Sequence, residues 1–177
     1  EFRRVLFRSG QPLIEHVADG LRDQVDKLIV CGRAWPGMDW IEDRPFADMG
    51  PLGGLNAALH YAQQNGFDAV VTAGCDVVPV AQFPIDRPSE RANYIDGHYL
   101  FGVWPVALAP LLDRHLRHQD NLSMRNWIAV SGAQAITSAD VFHNFNTPRE
   151  LAKYAAQRRS GSQLNAPRHV LDGPKLY

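Results

Sequence analysis

Ala69-Val70-Val71-Thr72-Ala73-Gly74-Cys75-Asp76 is the stretch that decides the fold class. Its first five residues form an apolar run rich in β-branched side chains, which pack well on a pleated surface. Gly74 closes the run. A short run of this kind, bounded by a glycine, reads as a strand buried on both faces of a sheet. Immediately upstream, Gly53 to Gln64 carries Leu55, Ala58, Leu59 and Ala62 at helical spacing. The core unit is therefore a helix leading into a buried strand that ends in Cys75-Asp76.

The same alternation extends outward. Gln11 to Gln24 places Leu13, Ile14, Val17 and Leu21 on one helical stripe, with Pro12 acceptable in the first turn. Leu28 to Cys31 predicts a strand stopped by Gly32, and Trp40-Ile41-Glu42 a second short one. Downstream, Ala92 to Ile95 and Tyr99 to Val103 flank Asp96-Gly97, the sequence signal of a hairpin. Pro105 to His118 and Met124 to Val130 read as helices, Ala135 to Thr137 as a last strand, and Thr147 to Arg158 as a final helix. Strands alternating with helices imply an α/β chain with a mostly parallel sheet covered on both faces. Ligands bind such sheets beyond the carboxyl ends of the strands.

Composition bounds the possibilities. A chain of 177 residues matches one domain and is long enough to bury a core without staples. The formal net charge of −1 offers no broad surface for nucleic acid or anionic lipid. No apolar run approaches the ~20 residues of a membrane span, and the expected location is the cytoplasm. Cys31 and Cys75 each adjoin a glycine at the end of an apolar run and are expected to be buried free thiols. Residues 1–9, with Arg3, Arg4 and Arg8 against the single acid Glu1, are read as a non-native leader. The alternative is a native strand around Val5-Leu6-Phe7. The domain is placed at 10–160 and a loose, Gly/Ser/Pro-containing tail at 161–177.

The chemistry-bearing residues lie just past predicted strand ends. Gly50-Pro51-Leu52-Gly53-Gly54 removes side chains where the chain enters a helix, whose free N–H groups could take a phosphate or base edge. A plain loop-to-helix turn explains it equally well. Asp76 is placed to hold Mg²⁺ through a carboxylate oxygen, although a turn aspartate is the commoner role at a strand end. Asp43, seven residues before Gly50, says little alone. In Asn144-Phe145-Asn146-Thr147-Pro148-Arg149-Glu150, a capping box accounts for Thr147 and Glu150. It leaves Asn144 and Asn146, which alternate on an extended segment and can face one side. The aromatic hairpin around His98 and Trp104 could wall a flat ligand, but core packing accounts for it better. Neither a Gly-x-Ser-x-Gly elbow nor a Gly-x-x-x-x-Gly-Lys-Ser/Thr loop occurs.

Taken in order, Glu42-Asp43, the Gly-Pro-Leu-x-Gly loop at Gly50 to Gly54, Cys75-Asp76 and the Asn-x-Asn-Thr-Pro start at Asn144 resemble the molybdenum cofactor guanylyltransferases. Gly10 to Val17 resembles that family's first helix, and the likeness runs from about Gly10 to Ala155. The resemblance implies a three-layer, Rossmann-like nucleotidyltransferase fold and transfer of GMP from GTP to molybdenum-bound molybdopterin, releasing pyrophosphate. It assigns Asp76 as the catalytic, Mg²⁺-binding and nucleotide-contacting carboxylate. It places Asp43, Gly50 and Gly54 at GTP, and Asn144 and Asn146 on the molybdopterin side. Molybdenum-insertion proteins and molybdoenzyme chaperones are the partners it implies.

The chain departs from the family pattern in two places. The family opens with a strand and a glycine-rich loop bearing Arg and Lys around the triphosphate; residues 1–9 stand there instead, so impaired activity is expected. Cys31-Gly32-Arg33 replaces an asparagine-bearing segment of some members, and no nucleotide contact is carried over to it. The rival readings are a cytidylyltransferase of the same cofactor pathway and a non-catalytic nucleotide-binding module on the same fold.

Overall fold

Leu13, Ile14, Val17, Ala18 and Leu21 are the buried stripe of helix α1, Leu13–Arg22, in the computed structural model. The structure describes residues 7–8, 11–80, 83, 91–138, 140–145, 147, 149–150, 153 and 156. Before α1, β1 (Phe7–Arg8) pairs antiparallel with β2 (Gln11–Pro12). The helix packs closely: a Cβ at Gly20 would lie 2.8 Å from Val80 Cγ2, so only glycine fits there without a shift. β3 (Val30–Cys31) and β4 (Trp40–Ile41) follow as a parallel pair. Helix α2 spans Gly50–Gln64, with Pro51 in its first turn and Leu52, Leu55, Leu59 and Ala62 buried.

Next come β5 (Ala69–Thr72), β6 (Val77–Val78), β7 (Asn93–Ile95) and β8 (His98–Pro105). A short 3₁₀ turn, Val106–Leu108, leads into α3 (Ala109–His118). α4 (Met124–Ser131) is capped at both ends: Ser123 Oγ accepts from the Asn126 N–H at 3.2 Å, and Gly132 takes the left-handed conformation. β9 (Gln134–Ile136) and β10 (His143–Asn144) complete the described elements.

The main sheet has the order β5-β8-β7-β9. Its side chains alternate between two cores, as the period of a strand requires. Ala69 and Val71 on β5, and Phe101 and Val103 on β8, join Leu13, Val17 and Leu21 of α1. Val70, Leu100 and Trp104 point the other way, among Leu52 and Leu59 of α2, Leu112 of α3 and Trp127 of α4. Helix, sheet and helices thus form three layers. Trp104 is fully buried, and its indole N–H donates to Thr72 Oγ1 at 2.8 Å across the β5–β8 pair. The aromatic hairpin is chiefly core, as Phe101 and Trp104 show.

The α/β class read from the sequence holds, and the expectation of a mostly parallel sheet is met in part. β3–β4 and β7–β9 are parallel, while β8 runs antiparallel to both β5 and β7. The Asp96-Gly97 turn, with Gly97 at φ +76°, returns the chain at once. Parallel neighbours would need a crossover of about a dozen residues or more. The capping box forms as expected: Thr147 N–H donates to Glu150 Oε2 at 3.1 Å, and Glu150 N–H to Thr147 Oγ1 at 3.3 Å. Most of the helix predicted to Arg158, and the whole tail 161–177, lie outside the described residues. The two cysteines are free, but Cys31 is only half-buried and Cys75 is exposed, contrary to the expected burial of both. Cys31 is the last residue of β3, and Cys75 follows β5 by three residues.

Candidate functional site

Asp43 and Asp76 leave two different strand ends, and glycines make room for both. After β5, Gly74 sits under Asp76: a Cβ at position 74 would lie 2.9 Å from Asp76 Oδ1. The half-buried Asp76 carboxylate has no side-chain hydrogen bond or ion pair among the described residues. Its backbone is fixed from far along the chain. Phe145 N–H donates to the Asp76 carbonyl at 2.9 Å, and β10 pairs with β6 so that Asn144 faces Val77. The structure therefore brings Asp76 and Asn144 together, as the sequence-predicted site requires. Asn146 lies outside the described residues.

Asp43 follows β4 and lies over the first turn of α2. A Cβ at Gly32 would be 3.1 Å from Asp43 Oδ1, one at Gly54 would be 3.5 Å from the same oxygen, and one at Gly53 would be 3.1 Å from Asp43 Cβ. The Arg44 N–H donates to the Gly53 carbonyl at 3.1 Å and ties this loop to the helix. Burial, and then the neighbouring Asp48 carboxylate, raise the Asp43 carboxyl above its ordinary value. Asp43 and Gly54 thus meet. Gly50 does not touch them: it is exposed, and a Cβ there would meet nothing within 4 Å. Its left-handed φ of +67° is what calls for glycine. The start of α2 has no side-chain cap hydrogen bond.

Cys31 packs on the Asp43 side of the site. Cys31 Cβ would be 3.0 Å from a Cβ at Gly54. Burial first, then the charges of Asp43 and Cys75, push the Cys31 thiol up to about 12. It stays protonated at neutral pH and is no nucleophile. Among the described residues no three His, Cys, Asp or Glu side chains gather to hold a metal. A carboxylate without a partner, such as Asp76, still suits Mg²⁺, which takes one or two carboxylates and leaves its other positions to water and phosphate oxygens.

Sequence reasoning missed three contributors. Gly53 is the tightest glycine of the loop, 2.7 Å from Met49 Cβ by the same construction. Gly32, at φ +85°, turns the chain beneath Asp43; a glycine ending an apolar run was the available signal. Asp48 adopts φ +60° within the loop and acts on Asp43; aspartate before Met-Gly was a weak sign of a left-handed turn.

The model of the MobA-like NTP transferase domain matches residues 4–134 of this chain. A molybdenum cofactor guanylyltransferase from Rhodobacter capsulatus is 30% identical over 173 residues, covering 90% of this chain and 87% of that protein. One from Acidiphilium cryptum (strain JF-5) is 25% identical, covering 88% and 86%. Among solved structures, molybdopterin-guanine dinucleotide biosynthesis protein A from Archaeoglobus fulgidus superposes with a TM-score of 0.62 over 90% of both chains. At 18% identity that likeness bears on the fold.

Proposed function

Since the chain belongs to the MobA-like NTP transferase domain family and is a nucleotidyltransferase, we propose that it transfers GMP from GTP to the terminal phosphate of molybdenum-bound molybdopterin, releasing pyrophosphate. The observation that carries this reading is the Asp76 carboxylate, half-buried without a side-chain partner among the described residues and tied through its backbone to the Asn144-Phe145 segment. Names carried by relatives over most of their length supply the substrates.

The chemistry is a problem of charge and alignment. The attacking phosphate and the α-phosphate of GTP are both anionic and repel until they are neutralised and brought into line. The nucleophile is ionised at neutral pH, so a strong general base is not required. Asp76 would hold Mg²⁺, which when bound polarises the α-phosphoryl group and offsets charge developing on pyrophosphate. Asp43 and Gly54 would form the wall against the nucleotide, with Gly50 at the mouth. Gly32, Gly53 and Gly54 leave room for the Asp43 side chain to lie close against the start of α2. The uncapped start of α2 would offer its positive end to an anion or base edge. Asn144 and Asn146 would orient the molybdopterin phosphate.

The reaction is assigned to the domain 10–160 and to the cytoplasm; no described helix is long and apolar enough to cross a membrane. Molybdenum-insertion proteins and molybdoenzyme chaperones would supply the acceptor and take the product.

Calorimetric titration with Mg·GTP and Mg·CTP, beside pyrophosphate release in the presence of molybdopterin, tests the proposal. Saturable GTP binding, weak CTP binding and loss of turnover in Asp76→Asn are expected. Preference for CTP would move the assignment to cytidylyl transfer, and binding of neither nucleotide would overturn it.

A further inference from the structure

His98 is a half-buried histidine that the reaction outlined above leaves unused. It opens β8 at the end of the main sheet where Asp76 lies. Thr72 of β5 pairs with Gly102 of β8, and the same four-residue step beyond that pair reaches Asp76 on one side and His98 on the other. The His98 ring lies 4.6 Å from that of Phe142, centroid to centroid, with the planes 58° apart. Phe101 meets the same Phe142 ring at 5.3 Å and His98 at 6.2 Å. Such tilted arrangements are the ones aromatic pairs prefer.

This cluster bears on Asn144, two residues further along the chain. β10 is only His143–Asn144, paired with the equally short β6, and so short a pair does not hold its own geometry. Downstream, the segment is fixed by buried Phe145, whose N–H donates to the Asp76 carbonyl. Upstream, it is fixed by Phe142 against His98 and Phe101. Asn144 stands exposed between these two anchors. We propose that His98 is a positioning residue for the acceptor side of the site, its ring holding Phe142 and thereby setting Asn144 beside Asp76. The proposal rests on the nucleotidyl-transfer reading. An imidazole suits the place, because it can lay a flat face on Phe142 and still present a polar edge to water.

The test is pyrophosphate release from Mg·GTP with molybdopterin as the varied acceptor, beside calorimetric titration with Mg·GTP and urea denaturation. The variants are His98→Ala, His98→Phe, Phe142→Leu, Asn144→Ala and the double variant of His98→Ala with Asn144→Ala. Displacing Asn144 by some tenths of an ångström should lower kcat/KM for molybdopterin about tenfold in His98→Ala and Phe142→Leu. GTP affinity should stay within about twofold, because the Asp43 loop is untouched. His98→Phe, which keeps a flat ring on Phe142, should retain kcat/KM to within about threefold. With Asn144→Ala already in place, His98→Ala should cost less than about twofold more, since groups acting through one contact do not add. Where urea shows His98→Ala unfolded, Phe142→Leu and His98→Phe decide. Losses that simply multiply in the double variant, or an equal loss of GTP affinity, would mark a merely structural role and overturn the proposal. Unchanged turnover in His98→Ala and Phe142→Leu, beside reduced turnover in Asn144→Ala, would overturn it alone and leave the function standing. A wild-type chain that transfers nothing from GTP to molybdopterin overturns both.

Discussion

Replacing Gly53 by alanine should harm nucleotide transfer far more than stability. A Cβ there would lie 2.7 Å from Met49 Cβ and 3.1 Å from Asp43 Cβ. Those are roughly 0.8 and 0.4 Å inside the ~3.5 Å at which carbon atoms rest. Neither neighbour is the tip of a flexible side chain. Met49 holds the N-cap position of α2, and the Asp43 loop is tied by the Arg44 N–H to the Gly53 carbonyl. Relief therefore requires the loop carrying Asp43 to move by some tenths of an ångström.

Two terms compete in the stability. Alanine for glycine inside a helix gains ~1 kcal/mol, while overpacking costs ~1–3 kcal/mol. The net loss should be no more than about 2 kcal/mol. Activity has no compensating term, and a displacement of order 1 Å at a reacting site costs up to ~100-fold. The assay pairs urea denaturation with kcat/KM for GTP, using Gly132→Ala as the comparison. Gly132 is the left-handed cap of α4; its replacement should cost ~1–2 kcal/mol through backbone strain and leave kcat/KM unchanged. If Gly53→Ala gained its full helix propensity and kept wild-type kcat/KM, the close approach would not constrain Asp43 and the reasoning would fail.

Three further outcomes can be checked. Asn56 is fully buried and donates to Asp113 Oδ1 at 2.9 Å, joining α2 to α3; Asn56→Ala should lose ~1–3 kcal/mol in urea denaturation, and no more, because Asp113 keeps His60 as a partner at 3.1 Å. His115 is buried between α3 and α4, and burial lowers its pKa from 6.5 against a smaller opposing effect of the Asn121 backbone. The unfolded chain then binds the proton more readily, so stability should fall as pH drops below 6.5 toward the lowered value; His115→Leu should flatten that slope in melts between neutral and acid pH. Trp104→Phe removes the 2.8 Å bond to Thr72 Oγ1 and opens a gap between the main sheet and α4; a loss of ~1–3 kcal/mol is expected, and a neutral result would show that Thr72 finds another donor.

What the sequence made legible was local chemistry. The run Ala69 to Ala73 gave β5 because β-branched residues and a closing glycine act within one strand length. Asp96-Gly97 gave the β7–β8 hairpin, and Thr147 with Glu150 gave the capping box, each from residues within four positions of one another. β6 and β10 were not legible. Val77-Val78 and His143-Asn144 are two residues each, too short for any period, and they exist as strands because they pair with each other. His115 falls on the Leu112–Leu116 stripe that α3 buries, yet a lone histidine on a helix gives no local sign of burial. The glycines were legible as a group but not in rank. Gly53 differs from Gly54 by what lies across from it, and Gly50 stands apart by its φ of +67°; neither is visible before the chain is folded.

The same division runs through the candidate site and explains why its parts looked weak singly. Asp43 and Gly54 are joined by a contact over a short stretch of chain, through the first turn of α2. Asp76 and Asn144 are joined only by the β6–β10 pair and the Phe145 N–H to Asp76 carbonyl bond. A loop carboxylate and a pair of asparagines have commonplace roles when read alone. Each gains chemical meaning when a distant backbone bond sets it beside the other, and no periodicity reports that bond. The order and spacing of motifs carried the information instead, because a fold that needs Asn144 beside Asp76 constrains both positions along the chain.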